Sequence, residues 1–174
     1  TVLKMDAGDM LLQKEIELDD EITAGQLYDR MSLLGAEALL ETLQRLEAGN
    51  ITPTAQPECD TCSAQKITRE TGLIQWNLPA EQIHNLVRGT NPWPGAYSYF
   101  KGERMRVWKT RVIHSDNAPA SNPGTILEIT RDGFEVQTGD GVLQILELQC
   151  DNAKRLTVDQ YVCGHLVMKG ERFG

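Results

Sequence analysis

The chain has 174 residues, 40% hydrophobic and 24% charged, with a formal net charge of −8. That balance fits a folded soluble protein rather than a disordered one, and the length holds one ordinary domain or a small domain plus part of another. No apolar run approaches the roughly 20 residues needed to span a bilayer, and no secretory signal pattern opens the chain.

Residues 1–5 and 10–18 read as two extended segments joined by the turn Asp6, Ala7, Gly8, Asp9. In the second, Ile16 and Leu18 alternate with Glu15 and Glu17, the period of a half-exposed strand. The chain opens in a strand without an initiator Met, so the expectation is a fragment. Thr23 and Gln26 have the spacing of a capping box, in which hydroxyl and amide each satisfy a free backbone N–H at a helix start. An amphipathic helix follows to about Ala48, with Leu27, Met31, Leu34 and Ala38 on one stripe and Leu39, Leu43 and Leu46 continuing it. Gly49 and Asn50 form its stop. Asp29, Arg30, Glu37, Glu41 and Arg45 are expected on its solvated face.

From residue 51 to 79, Thr, Pro, Gln, Ser and Cys run without periodicity, as in a linker. A short helix is predicted at 80–88, with Ile83, Leu86 and Val87 inward. Asn91, Pro92, Trp93, Pro94, Gly95 and Ala96 exclude regular helix or central strand, because neither proline has an N–H to donate. Candidate strands then fall at 97–100, 105–113, 124–129, 133–138 and 142–148, with turns at 101–102, 131–133 and 139–141 and a longer loop at 115–123. Residues 157–163 read as a helical turn or two and 169–173 as a closing segment. Strands this short and close together suggest a small barrel, of which the five-stranded OB-like form is one common type. The predicted architecture is an α/β edge at residues 1–50, a linker at 51–79 and a mainly-β OB-like barrel at 80–174.

Cys59 and Cys62 form a lone C-x-x-C, while Cys150 and Cys163 stand far downstream with His165 the only nearby imidazole. A zinc site needs a second close pair or a His at ligand spacing. The expectation is no metal, and reduced thiols of a cytoplasmic protein.

The acidity is uneven. Residues 1–50 carry 4 Lys+Arg against 11 Asp+Glu, whereas residues 80–174 carry 11 of each. Lys101, Arg104, Arg106, Lys109 and Arg111 fall within eleven residues, with only Glu103 opposing them. Screening over about 8–10 Å lets such a strip hold phosphates on an acidic chain. Strand alternation puts Arg104, Arg106 and Trp108 on one face, and Met105 and Val107 on the other with Lys109 and Arg111. Trp108 then reads either as an exposed stacking platform or as a core residue flanked by arginines. Trp76 and Trp93 are expected as packing anchors between linker and barrel.

Several stretches carry a more specific signal. Lys66, Ile67, Thr68, Arg69, Glu70, Thr71 and Gly72, with Ile74, Gln75 and Trp76, resemble the linker of methionyl-tRNA formyltransferases. Arg88 to Tyr97, with its Asn-Pro-Trp-Pro-Gly-Ala string, is similar to the entry of their C-terminal barrel. Thr138, Gly139, Asp140 and Gly141, then Leu146 to Gln149 and Gly170 to Phe173, resemble the rest of that domain. Asp6 to Leu11 resemble the acidic turn ending the family's catalytic domain, so the strand pair and helix read as the remnant of a Rossmann-like fold.

The resemblance implies formyl transfer from 10-formyltetrahydrofolate to the α-amino group of methionine on initiator methionyl-tRNA, by an Asn, a His and an Asp, without a metal. A monomer with no membrane partner is the expectation. The Asn-x-His pair is absent from this sequence, and His84, His114 and His165 read as surface or packing residues. The family's two successive Asp-x-Gly steps are here reduced to one. One alignment makes Asp6 the catalytic acid, and another makes it the preceding, non-catalytic one. Lys66 and Arg69 match linker positions that face tRNA in the family, while Arg104 and Arg106 are added on charge alone. Competing readings are a formyltetrahydrofolate hydrolase-like enzyme, a sugar-nucleotide formyltransferase, and a non-catalytic RNA-binding barrel.

Overall fold

The computed structural model describes residues 8–56, 64–114 and 121–174. Two compact units divide it, Thr1–Lys66 and Ile67–Gly174.

In the first unit, α1 runs over Ala24–Glu47 from the expected capping box: Gln26 N–H donates to Thr23 Oγ1, and Thr23 N–H donates to Gln26 Oε1 at 3.0 Å. The strand predicted at 10–18 does not form. Among the described residues only Met10 of this stretch pairs, with Thr54, through reciprocal bonds of 2.7 and 2.9 Å. Alternating polarity marks which side chains face water, but a strand also needs a partner for its backbone groups, and residues 11–18 have none in a ladder among the described residues; the extended segment expected at 1–5 lies outside them. Lys14 Nζ instead binds Glu41 at 2.9 Å and ties the segment to α1. Glu41 also pairs with Arg45, and the Lys14 bond holds its carboxyl below the usual value. The apolar stripe is only half covered: Leu27, Leu34 and Ala38 are partly buried, while Met31, Leu39, Leu43 and Leu46 are exposed.

The second unit is a mainly antiparallel sheet with short helices. Pro79 precedes α2 (Ala80–Gly89), which buries Ala80, Ile83 and Val87 at i, i+3 and i+7. Six strands follow among the described residues: β1 (Ala96–Phe100), β2 (Glu103–Ile113), β3 (Ile126–Ile129), β4 (Phe134–Gln137), β5 (Val142–Cys150) and β6 (Leu156–Thr157). Their order is β1-β2-β5-β4-β3, with β6 beside β5. The helix α3 (Val158–Val162) starts from a second capping box, Thr157 with Gln160.

The closing segment joins the two outer strands of this path. Phe173 pairs with Phe100 at the end of β1, and Arg172 pairs with Thr125 just before β3. Phe173 N–H donates to Gly124 O and Gly174 N–H to Tyr99 O, both at 2.9 Å, while Ile126 N–H donates to Glu171 O at 2.8 Å. The sheet is thus closed in the manner of a small barrel, and its open edges are covered.

Residues 67–79 belong to this unit and feed its core. Ile74 and Trp76 are buried with Ile83, Phe100, Phe134 and Phe173. Ile74 N–H donates to Tyr97 O at 2.8 Å, and a 3-10 turn, Glu70–Gly72, precedes it. A Cβ on Gly139 would sit 1.9 Å from Asn77 O, so only glycine lets this turn approach the chain beside Trp76. Among the described residues, no helix is long and apolar enough to cross a membrane.

Candidate nucleic-acid interface

The hairpin of β1 and β2 builds the site. Its two-residue turn, Lys101 and Gly102, has φ of 52° and 81°, as the tight hairpin twist requires. That turn sets Phe100 opposite Glu103, hence Tyr99 opposite Arg104 and Tyr97 opposite Arg106. Tyr97 and Tyr99 therefore share the outward face with the two arginines, while Met105 and Val107 are buried on the other side.

The predicted alternation fails beyond Val107. The ladder with β5 shifts register on both sides of Lys109, as a β-bulge does. Thr110 takes the buried position, so Lys109 and Arg111 are exposed rather than turned with Met105 and Val107. One extra residue moves both cations to solvent.

Trp108 and Trp93 differ from their expected roles. Trp108 is half-buried on the outward face, its indole N–H donating to Gln149 Oε1 at 2.9 Å and the Arg155 guanidinium 5.3 Å from its ring. It is neither a core residue nor a bare platform. Trp93 is 60% exposed, not a packing anchor. Gly95 N–H donates to Thr90 O at 2.9 Å, so residues 91–94 project as a loop that carries Trp93 between Pro92 and Pro94, both with cis peptide bonds. Trp76 is the anchor that the sequence suggests, buried and bonded to Ser98 Oγ at 2.9 Å.

These elements enclose a concavity of about 370 Å³ lined by Arg69, Pro92, Trp93, Pro94, Tyr97, Arg104 and Arg106. Three arginines and, among the described residues, no acidic residue line it. Arg104 is fixed: Nε and Nη2 reach the Asp151 carboxylate at 3.0–3.2 Å, and the group lies 5.5 Å from the Tyr97 ring centre. The Asp151 bond raises the Arg104 pKa further, keeping it charged. Arg106 has no ion-pair partner among the described residues, and Arg69 is exposed at the start of the 3-10 turn. A small basic hollow with an aromatic rim suits an anion that carries a flat ring.

Of the residues singled out in the sequence, Arg69, Arg104 and Arg106 meet here. Lys66 is exposed at the end of the first unit, and Asp6, Cys59 and Cys62 lie outside the described residues. Trp93, Tyr97 and Asp151 were missed. The two-residue turn was enough to place Tyr97 beside Arg106, and a Trp between two prolines is barred from a ladder. Asp151 had no such signal.

The histidines take packing or surface places. His84 Nδ1 meets Thr110 Oγ1 at 2.9 Å, His165 stacks on Tyr161 with centroids 4.1 Å apart, and His114 is exposed. Burial pushes the pKa of the Cys150 thiol up.

A closed antiparallel sheet carrying this hollow defines the class. Residues 66–166 match the model of the formyl transferase C-terminal domain, and the chain belongs to that family. Its relatives bear a more particular name. The methionyl-tRNA formyltransferase of Acetivibrio thermocellus is 46% identical over 170 residues, which are 98% of this chain and 54% of that protein. That of Ruminiclostridium cellulolyticum is 43% identical over the whole chain and 56% of its own length. The resemblance read from the motifs is borne out, and the chain spans about half the length of the curated relatives it matches.

Among solved structures, HypX from Aquifex aeolicus in complex with tetrahydrofolic acid superposes with a TM-score of 0.63 at 20% identity, over 94% of this chain and 28% of that one. The sugar 3N-formyl transferase WlaRD gives 0.60 at 17% identity, over 87% of this chain and 52% of its own. Both share the fold.

Proposed function

We propose that this chain is the tRNA-holding portion of a methionyl-tRNA formyltransferase, which passes a formyl group from 10-formyltetrahydrofolate to the α-amino group of methionine on initiator tRNA. The basic hollow of Arg69, Arg104 and Arg106 on a chain so similar to enzymes of that name carries the reading. In this reading the hollow and Lys66 meet tRNA phosphates, and residues 1–50 form an edge of a Rossmann-like catalytic domain. The exposed apolar residues of α1 suit such an edge, since an apolar helix face calls for a packed neighbour. Of the three catalytic residue types that the resemblance implies, the chain supplies at most the Asp, with Asp6 as candidate. The formyl donor is assigned no contact with the described residues. The enzyme acts in the cytoplasm as a monomer.

Two measurements test it. The chain should bind initiator methionyl-tRNA with an affinity that falls steeply with salt, and the Lys66→Ala/Arg69→Ala pair should flatten that dependence. A hybrid joining the chain to the remaining half of the Acetivibrio relative should transfer formyl to methionyl-tRNA. Absence of tRNA binding by the folded chain would sink the reading.

A further inference from the structure

Resting on that reading, we propose that the hollow is a subsite for one unpaired nucleotide, whose base stacks on Trp93 while the adjoining phosphates lie against Arg106 and Arg69. Trp93 presents an indole that is 60% exposed from a loop stiffened by a proline on each side. Little conformational freedom remains to be lost when a ring settles on it. Arg106 has no ion-pair partner among the described residues, and Arg69 lines the same hollow. Arg104 lines the same hollow with its charge offset by Asp151 and its guanidinium 5.5 Å from the Tyr97 ring centre.

Size and chemistry point to an unpaired strand rather than a duplex. About 370 Å³ is the scale of a small-ligand site, not of a groove that takes a helix. The bases of a duplex are stacked on one another and offer Trp93 no face, whereas a single strand offers one at every residue. A folate, with a ring and carboxylates, is the competing occupant.

Fluorescence titration with tetra-adenylate (rA4) tests this on the 174-residue chain. Quenching of Trp93 is expected on binding, since Trp76 is buried and Trp108 is covered by Arg155. Trp93→Ala should weaken rA4 about tenfold or more, read by competition, with Trp93→Phe largely restoring it. Arg106→Gln should reduce the salt slope by about 0.7. An eight-base-pair RNA duplex should bind equally to the parent and to Trp93→Ala.

Unchanged rA4 affinity in folded Trp93→Ala, or displacement of rA4 by tetrahydrofolate, overturns the subsite. Initiator tRNA is titrated in parallel. Binding of tRNA without rA4 removes the subsite and leaves the proposed function standing. Binding of rA4 without tRNA does the reverse.

Discussion

Trp76 donates its indole N–H to Ser98 Oγ at 2.9 Å, with both side chains buried. The bond pins the stretch that enters the barrel to β1, and no water reaches the donor if the hydroxyl is removed. Ser98→Ala should therefore destabilise the fold by about 1–3 kcal/mol, the cost of an orphaned buried donor. Urea denaturation followed by circular dichroism measures it. An unchanged midpoint would show that the N–H finds another acceptor.

Much of the barrel was legible because turn chemistry and alternation agreed with the final pairing. The capping box at Thr23 and Gln26, the hairpin at Lys101 and Gly102, and the strands before and after Asp140 fall where the residues put them. Three features depended on information outside their own segment. Residues 10–18 alternate like a strand but lack a ladder partner among the described residues. The bulge at Lys109 is imposed by pairing with β5, and it turns Arg111 outward. Trp93 and Trp108 differ by local geometry: one stands at the tip of a proline loop, while the other is covered by Gln149 and Arg155 from later in the chain. Of the arginines of the hollow, Arg104 and Arg106 stand out by charge and Arg69 by the family resemblance. The restraint of Arg104 by Asp151 has no such signal, because 47 residues separate the two.

Phe173 should behave as the lock of the barrel. It is fully buried, 4.7 Å from the Phe100 ring centre and 5.5 Å from that of Trp76, and its backbone joins the two sides of the closure. Phe173→Ala should cost about 3–5 kcal/mol. Removal of residues 170–174 should also release Ile126 N–H, which donates to Glu171 O. Hydrogen exchange at Ile126 in the truncated chain should then outpace that at Val136 in β4; equal rates at the two would mean that the sheet stays closed without the segment.

The closing segment should loosen in acid. Lys101 Nζ sits 2.9 Å from Glu171, and Lys169 Nζ sits 2.9 Å from Glu128. These bonds hold both carboxyls below their ordinary value of 4.5. A carboxylate with a lowered folded pKa binds its proton more readily when unfolded, so its contribution is complete above about 4.5. It is lost as pH falls through the folded value. Amide exchange at Gly170 and Phe173, corrected for intrinsic rates, should be flat from pH 7 to about 5 and rise below about 4.5. In Lys101→Met the rise should shrink; a rise of full size there would place the pH dependence elsewhere.

Asp151→Asn separates the ion pair's two roles. The pair with Arg104 is partly exposed on both sides, so its loss should change stability by no more than about 1 kcal/mol. Binding should respond more strongly. With Asp151 neutral, the Arg104 charge is no longer offset at the wall of the hollow, while Tyr97 still supports the guanidinium. Affinity for rA4 should rise about two- to fivefold at low salt, and the salt slope should steepen by up to about 0.7 as Arg104 becomes a full phosphate partner. Arg104→Met should move both quantities the other way. Weaker binding in Asp151→Asn would mean that orientation of Arg104 by the carboxylate outweighs the charge it hides, making Asp151 a necessary part of the site.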